Sequence, residues 1–151
     1  MSDIIIYTDG SCNPNPGTGG WAAIIDGVEH SGRVESTTNN RMELLAVINA
    51  LQIIGKNNTV IIHCDSSYVV NGIGNWLEKK PLGKPGWMVG WSKNNWVKHD
   101  NKKVLNADLW KALSKMVLEQ DRIIFKLVKG HSGIPLNERC DQLAQQARNG
   151  K

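Results

Sequence analysis

Cysteines are few in this chain, and long apolar runs are missing. The three cysteines are odd in number and form no Cys-x-x-Cys pair, so neither a disulfide framework nor a zinc site is indicated. Cys64 and Cys140 are better explained as small buried residues. No apolar run approaches the roughly 20 residues that span a bilayer, and the N-terminus has no signal-peptide pattern. We therefore expect a cytoplasmic protein that makes no membrane contact.

Length and composition indicate one globular unit. The 151 residues are 40% hydrophobic, which is ordinary for a soluble protein and sufficient for a core without a structural metal. Internal repeats, low-complexity segments and exposed coiled-coil stripes are also missing from the sequence. We expect a single domain over residues 1–151 that is a monomer and has no obligatory protein partner.

Positive charge is concentrated in one stretch. Residues 76–103 contain seven lysines and two acids, a net charge of +5, whereas the rest of the chain carries −1. The same stretch holds four of the six tryptophans, at positions 76, 87, 91 and 96. Lysines interleaved with aromatic rings suit a nucleic-acid groove. A solvated basic loop with tryptophans as packing anchors explains the composition equally well.

The hydrophobic pattern alternates between strand and helix signals. Short apolar runs predict strands at residues 4–7, 21–25, 60–63 and 123–128, and a hairpin around Asp26-Gly27 predicts a further strand at about 29–34. Helical spacing predicts helices over residues 41–54, 66–76, 108–118 and 135–147. Prolines and glycines between residues 81 and 90 predict loops with at most short helices. This order predicts an α/β fold in which an antiparallel meander and parallel strands form a five-stranded mixed sheet flanked by helices.

Four carboxylates, Asp9, Glu43, Asp65 and Asp141, give the strongest chemical signal. Asp9 and Asp65 each follow an apolar run, and they lie side by side if the first and fourth strands are neighbours. Glu43, in the first turn of its predicted helix, and Asp141 each flank an apolar stripe, so their side chains look toward the sheet. A charge at such positions is costly unless it is paired. Divalent cations suit these oxygens, and four ligands can hold two Mg²⁺ or Mn²⁺ ions about 4 Å apart for hydrolysis at phosphorus.

Each carboxylate also has a simpler explanation. The Asp9-Gly10 pair is compatible with an ordinary turn, and Glu43 with a capping box that includes Asn40. Asp65 is compatible with a helix N-cap, and Asp141 with a surface ion pair. Because small or polar neighbours accompany all four acids, the joint interpretation as a metal site is the stronger one.

One histidine lies close in sequence to this set. His131 stands in a glycine-flanked loop between the last predicted strand and the helix that contains Asp141. Histidine ionises near neutral pH, and a loop allows movement, so His131 suits a proton shuttle or an aid to product release. An ordinary loop histidine is the alternative.

The motifs resemble those of type 1 ribonuclease H in its bacterial form. The two most specific segments are Thr37-Thr38-Asn39-Asn40-Arg41-Met42-Glu43 and Asn137-Glu138-Arg139-Cys140-Asp141. The others are Asp9-Gly10-Ser11-Cys12, Asp65-Ser66 with Tyr68-Val69, Asp108-Leu109-Trp110 and Val128-Lys129-Gly130-His131-Ser132-Gly133. They follow the order of the family and cover nearly the whole chain.

The resemblance implies a ribonuclease H-like fold and a two-metal-ion mechanism. The implied reaction is endonucleolytic hydrolysis of the RNA strand of RNA–DNA hybrids, which leaves 5′-phosphate and 3′-hydroxyl ends. By position, the family's Mg²⁺-binding acids match Asp9, Glu43, Asp65 and Asp141, with Mn²⁺ as a substitute ion. His131 matches the auxiliary histidine of the family.

The resemblance also implies substrate contacts. The positions that read the minor groove of the hybrid match Cys12, Asn15, Asn39, Asn40 and Ser67. Asn15 and Thr38 match a pocket that holds a phosphate of the DNA strand. Residues 76–103 correspond to a basic protrusion that holds the DNA strand, with candidate contacts at Trp76, Lys79, Lys80, Trp91, Lys93, Trp96 and Lys98.

The chain departs from the family pattern in three places. Ser67 stands where bacterial relatives usually carry glutamine, and Ser36 where an arginine often supports the phosphate pocket. Residues 80–86 lengthen the protrusion. Two other functions stay open: a module that binds hybrids or double-stranded RNA without cleavage, and a strand-transfer enzyme or exonuclease on the same fold. The four acids argue against the first, and the asparagines with Gly130-His131 argue against the second.

Overall fold

The chain alternates strands and helices around one sheet. The structure is a computed structural model that describes residues 3–128 and 133–150. In that part of the chain the strands are β1 (Ile4–Cys12), β2 (Gly17–Ile25), β3 (Val28–Thr37), β4 (Thr59–Cys64), β5 (Asn75–Leu77), β6 (Lys80–Leu82) and β7 (Arg122–Leu127). The helices are α1 (Asn39–Ile54), α2 (Ser67–Ile73), α3 (Trp87–Lys93), α4 (Ala107–Leu118) and α5 (Pro135–Arg148).

The strand order in the sheet is β3-β2-β1-β4-β7-β5-β6. β1, β2 and β3 form the predicted antiparallel meander, and β4 and β7 extend it in parallel. The parallel ladder between β1 and β4 ends at the pair Thr8–Cys64, so Asp9 and Asp65 follow it at the same edge of the sheet. The structure thus confirms the mixed sheet and the predicted neighbourhood of the first and fourth strands.

The sheet contains two strands more than the five that the sequence predicts. β5 pairs antiparallel with β7, and β6 pairs antiparallel with β5. Each of the two added strands has only three residues, which is too short for an alternating pattern. Their turn places Glu78 and Lys79 at φ of 48° and 67°, without the glycine or asparagine that usually marks such turns. The hairpin therefore forms through pairing with a distant strand, which a local pattern does not reveal.

The two faces of the sheet are covered differently. On one face, helices α1 to α4 enclose the main core, which includes Ile6, Val60, Ile62, Ile123, Leu44, Val47, Leu51 and Trp110. On the other face, α5 packs on β1, β2 and β3, and its buried residues contact Ala22 and Ile24. Cys64 and Cys140 are fully buried, one in each core, which confirms the prediction that they are small core residues.

Several element ends differ from the sequence-based prediction. β1 continues through Asp9 to Cys12 because β2 pairs with it along this length. Thr38 is the N-cap of α1, and its Oγ1 accepts a hydrogen bond from the Arg41 N–H at 3.2 Å. α2 ends at Ile73, because Gly74 adopts a φ of 73° and the next residues join the sheet. None of the helices in residues 3–128 and 133–150 combines the length and apolarity that crossing a membrane requires.

Candidate active site

Three of the four predicted acids converge at the edge of the sheet where the parallel ladder ends. Asp9 lies on β1, Glu43 on α1, and Asp65 just after β4. One carboxylate oxygen from each of the three lies within 4.8 Å of the others. Asp9 and Glu43 are nearly inaccessible to solvent, with exposed fractions of 3% and 4%. The fold therefore gathers three acidic side chains into one small, largely dry space.

Gly10 allows this approach. Its backbone N–H donates to Oδ1 of Asp9 at 2.8 Å and to Oε1 of Glu43 at 3.1 Å. A Cβ at this position would lie 2.5 Å from the backbone nitrogen of Glu43, which is far inside van der Waals contact. Only glycine lets β1 run this close to α1, and the same N–H orients both carboxylates.

Burial and mutual repulsion make these acids reluctant to ionise without a counter-charge. Burial, followed by the charge of Asp65, raises the pKa of the Asp9 carboxyl to about 8. Burial, followed by the charges of Asp9 and Asp65, raises the pKa of the Glu43 carboxyl well above its usual value. A group of acids with such shifts in a cleft is typical of a functional site.

The carboxylate oxygens of Asp9 and Glu43 that the Gly10 N–H does not bind suit a divalent cation. Oδ2 of Asp9 and Oε2 of Glu43 are buried and have no hydrogen-bond partner among the described residues. Buried polar atoms without a partner are rare in folded proteins and call for a ligand. Clustered carboxylate oxygens are the ligands that Mg²⁺ and Mn²⁺ prefer. Asp9, Glu43 and Asp65 therefore have the composition and spacing of a metal site.

Asp141 lies on the wall of the same cleft, outside the tight group of three. It is half-buried on α5, and its Oδ2 accepts a hydrogen bond from Nε2 of Gln145 at 3.0 Å. Its negative charge contributes to the raised pKa of Asp9. The structure brings all four acids to one cleft, but it places the fourth at a greater distance than the prediction of a single cage implied.

The simpler explanations for three of the acids are wrong. Asp9 is in a strand, where it pairs with Ala22, and not in a turn. Thr38, rather than Asn40 with Glu43, caps α1. Ser66, rather than Asp65, is the N-cap of α2, where its Oγ accepts a hydrogen bond from the Val69 N–H at 3.2 Å.

The predicted minor-groove residues lie in or beside the cleft. The cleft has a volume of about 360 Å³ and is lined by Asp9, Gly10, Asn39, Asn40, Glu43, Asp65, Ser66, Ser67, Tyr68 and Asp141. Asn15 lies beside it, where its Oδ1 accepts a hydrogen bond from the Asn39 N–H at 3.1 Å. Sγ of Cys12 lies 3.5 Å from the carbonyl oxygen of Thr37, next to the capping residue Thr38. Ser36 is exposed near the end of β3. A polar surface thus extends from the acids along the start of α1.

A second, more apolar cavity adjoins the cleft. It has a volume of about 720 Å³ and is lined by Tyr68, Trp87, Gly90, Trp91, Asn94, Val97, Lys98, His99, Val104 and Leu105. Tyr68 is common to both, so its ring separates the acidic cleft from this part of the protrusion. The cavity gathers aromatic side chains and Lys98 on the far side of Tyr68 from the acids.

Other candidate protrusion residues lie elsewhere. Trp76 is 8% exposed, and its indole N–H donates to the Ile73 carbonyl oxygen, a position that favours packing over ligand contact. Lys80 pairs with Leu77, which pairs with Arg122 at the amino end of β7. Lys79 and Lys80 therefore lie at the end of the sheet opposite to the acids, about 17 Å away along the strand direction alone and displaced sideways as well. The predicted DNA-strand contacts Lys79 and Lys80 thus lie apart from the acidic cleft, because strand pairing carries the hairpin turn toward the other end of the sheet.

Two predicted contacts lie in different settings. Lys93 is exposed at the end of α3, and Trp96 is half-buried against the main core. His131 falls in residues 129–132, outside the described residues.

Sequence reasoning missed a polar network that joins three helices beside the cleft. Arg41 on α1 makes a two-pronged ion pair with Asp108 on α4, with N–O distances of 3.0 and 2.7 Å. The Tyr68 hydroxyl accepts hydrogen bonds from Asn106 at 3.2 Å and from Trp110 at 3.0 Å. Both Arg41 and Tyr68 stand within quoted motifs, but a linear pattern does not show which side chains meet.

The fold and the site define the class of this protein. A mixed sheet with buried carboxylates where its parallel ladder ends, next to a polar groove and a basic aromatic wall, is the architecture of a metal-dependent nuclease. The family model of RNase H matches residues 1–149. The chain belongs to the ribonuclease H family.

Individual relatives agree with this membership. The chain is 45% identical over 150 residues to a protein named Ribonuclease H from Thiobacillus denitrificans, covering 96% of this chain and 93% of that protein. It is 45% identical over 152 residues to Ribonuclease H from Syntrophomonas wolfei, covering 97% of each chain. Among solved structures, LC9-RNase H1, a type 1 RNase H with the type 2 active-site motif, superposes with a TM-score of 0.79 at 25% identity, covering 99% of this chain and 74% of that one.

Proposed function

We propose that this protein cuts the RNA strand of RNA–DNA hybrids endonucleolytically and leaves 5′-phosphate and 3′-hydroxyl ends. The observation that carries this proposal is the group of three acids within 4.8 Å, of which two have buried oxygens without a hydrogen-bond partner. Membership of the ribonuclease H family supports the choice of substrate.

We propose that Asp9, Glu43 and Asp65, with Asp141 from the cleft wall, hold two Mg²⁺ ions, for which Mn²⁺ is a substitute. Divalent cations in such a site activate water and neutralise the charge that develops on phosphate oxygens. The protein's own contribution is to keep the carboxylates in place. The Gly10 N–H fixes two of them, and burial on β1 and α1 excludes the water that would otherwise solvate them.

The polar surface beside the acids suits recognition of the RNA strand. Asn39, Asn40 and Ser67 line the cleft, and Cys12 and Asn15 lie next to them, so their side chains are candidates for minor-groove and 2′-hydroxyl contacts. Ser67 is shorter than glutamine, so we expect its contact to run through water or to be lost. Thr38 and Asn15 are candidates for holding a DNA-strand phosphate.

The adjoining cavity suits the DNA strand. Trp91 and Lys98 line it, and Lys93 and Trp96 belong to the same segment. An aromatic surface packs against sugars or bases, while lysines pair with phosphates. Trp76, Lys79 and Lys80 are left out of this proposal because of their positions. His131 remains a candidate for moving a proton during product release.

We further propose that residues 1–151 form one ribonuclease H domain with the basic protrusion at about residues 76–103. We propose that the protein acts as a monomer in the cytoplasm and needs no obligatory protein partner. Mg²⁺ is proposed as the physiological ion because it suits an all-oxygen site.

A cleavage assay on three duplexes tests the function. The purified protein is mixed with a labelled RNA–DNA hybrid, an RNA duplex or a DNA duplex, with Mg²⁺ or with EDTA. Cleavage of the hybrid alone, and only with Mg²⁺, is the expected result. Blocking both RNA ends should not prevent cleavage, whereas an exonuclease would be stopped. Binding of the hybrid without any cleavage would identify a binding module and refute the proposal.

A further inference from the structure

On one sheet face, the half formed by β4, β7, β5 and β6 has no helix packed on it among residues 3–128 and 133–150. α5 contacts β1, β2 and β3, while α1 to α4 contribute to the core on the opposite face. The outward side chains of β4, β7, β5 and β6 therefore lack a helix above them in the described part of the chain. Leu77 and Leu82 are 43% and 40% exposed there, and Ile61 and Ile124 are half-buried.

Strand register arranges the apolar residues of this face in a row. Ile124 of β7 pairs with Ile61 of β4, which pairs with Ile5 of β1. Cross-strand partners point to the same face, so these three side chains form one aliphatic row. Leu82 of β6 lies at the end of the same row. It pairs with Asn75 of β5, and the pairing of β5 with β7 places Asn75 beside Ile124.

Positive charges flank this aliphatic row on both sides. On one side, Leu77 pairs with Lys80 and with Arg122. On the other side, Lys126 pairs with His63, whose pKa is lowered by burial and, to a smaller extent, by the charge of Lys126. Residues two apart on a strand are about 6.6 Å apart, so Lys80 and Arg122 on one side and Lys126 on the other each lie one side-chain width from the aliphatic row.

These cations are available for a partner. Lys80, Arg122 and Lys126 are exposed, and none of them takes part in an ion pair between described residues. The nearest acids in sequence are Glu78, in the hairpin turn, and Asp121, just before β7; the Glu78 N–H donates to the Asp121 carbonyl oxygen at 2.8 Å, beyond the end of the row. The face itself therefore carries a positive charge.

A small apolar pocket continues the aliphatic row. It has a volume of about 320 Å³ and is lined mainly by Ile5, Tyr7, Ile24 and Leu136. Asp26 stands at its rim, where its Oδ1 accepts the Ile5 N–H at 2.9 Å. The pocket offers a place for one apolar side chain of an occupant.

We propose that this sheet face, named the open face and defined by Ile5, Ile61, Ile124, Lys80, Arg122 and Lys126, docks an acidic amphipathic helix of a protein partner. A helix with an aliphatic stripe between two rows of acids matches the aliphatic row and the flanking cations. Nucleic acid fits less well, because the exposed apolar residues are aliphatic and cannot stack on bases. The two aromatic rings on this face, Tyr7 and His63, stack on each other with their ring centroids 4.4 Å apart.

Designed peptides test this proposal on the intact protein. The probe is a short fluorescein-labelled helical peptide with a leucine stripe flanked by glutamates, and its binding is measured by fluorescence anisotropy. Two matched peptides replace either the glutamates with lysines or the leucines with serines. Saturable binding of the first peptide alone is expected, and binding should weaken as salt is added.

Charge-reversal variants locate the binding. Arg122→Glu with Lys126→Glu should weaken binding about tenfold or more, since both cations of β7 are replaced by acids that repel the glutamates of the peptide. The control variant, Lys111→Glu with Lys115→Glu on exposed positions of α4, should bind like the wild type. Thermal melting of both variants checks that they fold, and Ile124→Ala gives a milder second variant that should also lower affinity.

Three outcomes would overturn the proposal. These are no saturable binding of the acidic peptide, equal binding by the lysine peptide, and equal weakening by the two charge-reversal variants. A single-stranded oligonucleotide that displaces the peptide, and that itself binds more weakly to Arg122→Glu with Lys126→Glu, would assign the face to nucleic acid. That result would also overturn the proposal. Peptide binding is independent of cleavage, so failure here leaves the proposed nuclease function untouched.

Discussion

The acidic cleft and the basic protrusion differ in how firmly the fold fixes them. The acids of the cleft lie on or beside β1, α1, β4 and α5, so strand register together with the packing of α1 on β1 brings three of them within 4.8 Å. The protrusion spans short elements and turns, and its lysines lie in different places: Lys98 lines the cavity beside the cleft, whereas Lys80 lies at the far end of the sheet. Charge composition alone therefore does not locate a binding surface.

The tryptophans of the protrusion also lie in different settings, which composition does not reveal. Trp76 is buried and acts as a packing anchor, whereas Trp87 is 46% exposed and lies 5.9 Å from Trp91 at the cavity wall. Of the two explanations that composition left open, packing accounts for Trp76, whereas Trp91 at the cavity wall stays a candidate for ligand contact.

The largest expected effect tests the cleft. Asp9→Asn removes one charge from the group of three acids and leaves its shape intact. We expect the cleavage rate with Mg²⁺ to fall by about 100- to 1000-fold or more, because a ligand charge is lost where negative charge must be neutralised. Single-turnover cleavage of a labelled hybrid measures this.

A matched control is available in the turn between β2 and β3. Asp26→Asn keeps the side-chain oxygen that accepts the Ile5 N–H and should cleave like the wild type. Retained activity in Asp9→Asn, or an equal loss in both variants, would contradict the assignment of the site.

The second prediction concerns the close approach of β1 to α1. Gly10→Ala would place a Cβ 2.5 Å from the Glu43 nitrogen and 2.6 Å from the Met42 carbonyl carbon, and both atoms are backbone. We expect a loss of about 1–3 kcal/mol in the free energy of unfolding, measured by urea denaturation, together with slower cleavage. Gly90→Ala on α3, where a Cβ meets nothing within 4 Å, should leave stability equal or slightly higher. Equal stability of the two variants would mean that β1 and α1 can separate without cost.

Much of the cleft could be predicted from sequence because its determinants are local. The helical stripe from Leu44 to Ile54 predicts α1, and the apolar runs before Asp9 and Asp65 predict β1 and β4. The cap at Thr38 was not predicted, because Asn40 with Glu43 has the spacing of a capping box. The outward position of Asp141 depends on how α5 packs, which no local pattern contains.

The protrusion was less predictable because its determinants are distant. The pairing of Leu77 with Arg122 decides where Lys79 and Lys80 lie, and the two partners are far apart in sequence. The hydrogen bonds from Asn106 and Trp110 to Tyr68 likewise join separate helices. Composition predicts a basic segment but not the direction in which its side chains point.

The third prediction is a pH dependence of stability in the presence of a chelator. The pKa of Asp9 is about 8 in the folded protein and near 3.8 in the unfolded chain, so the folded state binds more protons between these values. Stability conferred by the protonated group is then lost as the pH rises through this window. Asp9→Asn lacks this loss, so its melting temperature relative to the wild type should increase from about pH 4 to about pH 8.

Melting in EDTA across this range measures the difference between the two proteins. Glu29 and Asp108, whose pKa values are lowered, are common to both proteins and cancel in the difference. Glu43 does not cancel, because the charge of Asp9 contributes to its raised pKa, so the difference reports Asp9 together with Glu43. Parallel curves for the two proteins would mean that Asp9 is not buried among other acids.

The smallest expected effect separates the two parts of the protrusion. Lys93→Gln with Lys98→Gln should reduce the slope of log binding constant against log salt concentration by about 1 for each phosphate contact that is lost. Lys79→Gln with Lys80→Gln removes the same charge from the opposite end of the sheet and should leave the slope unchanged. Hybrid binding is measured in EDTA, so that cleavage does not interfere. Equal reductions in both variants would mean that the hairpin also reaches the hybrid, and the contrast between the two ends of the protrusion would then be wrong.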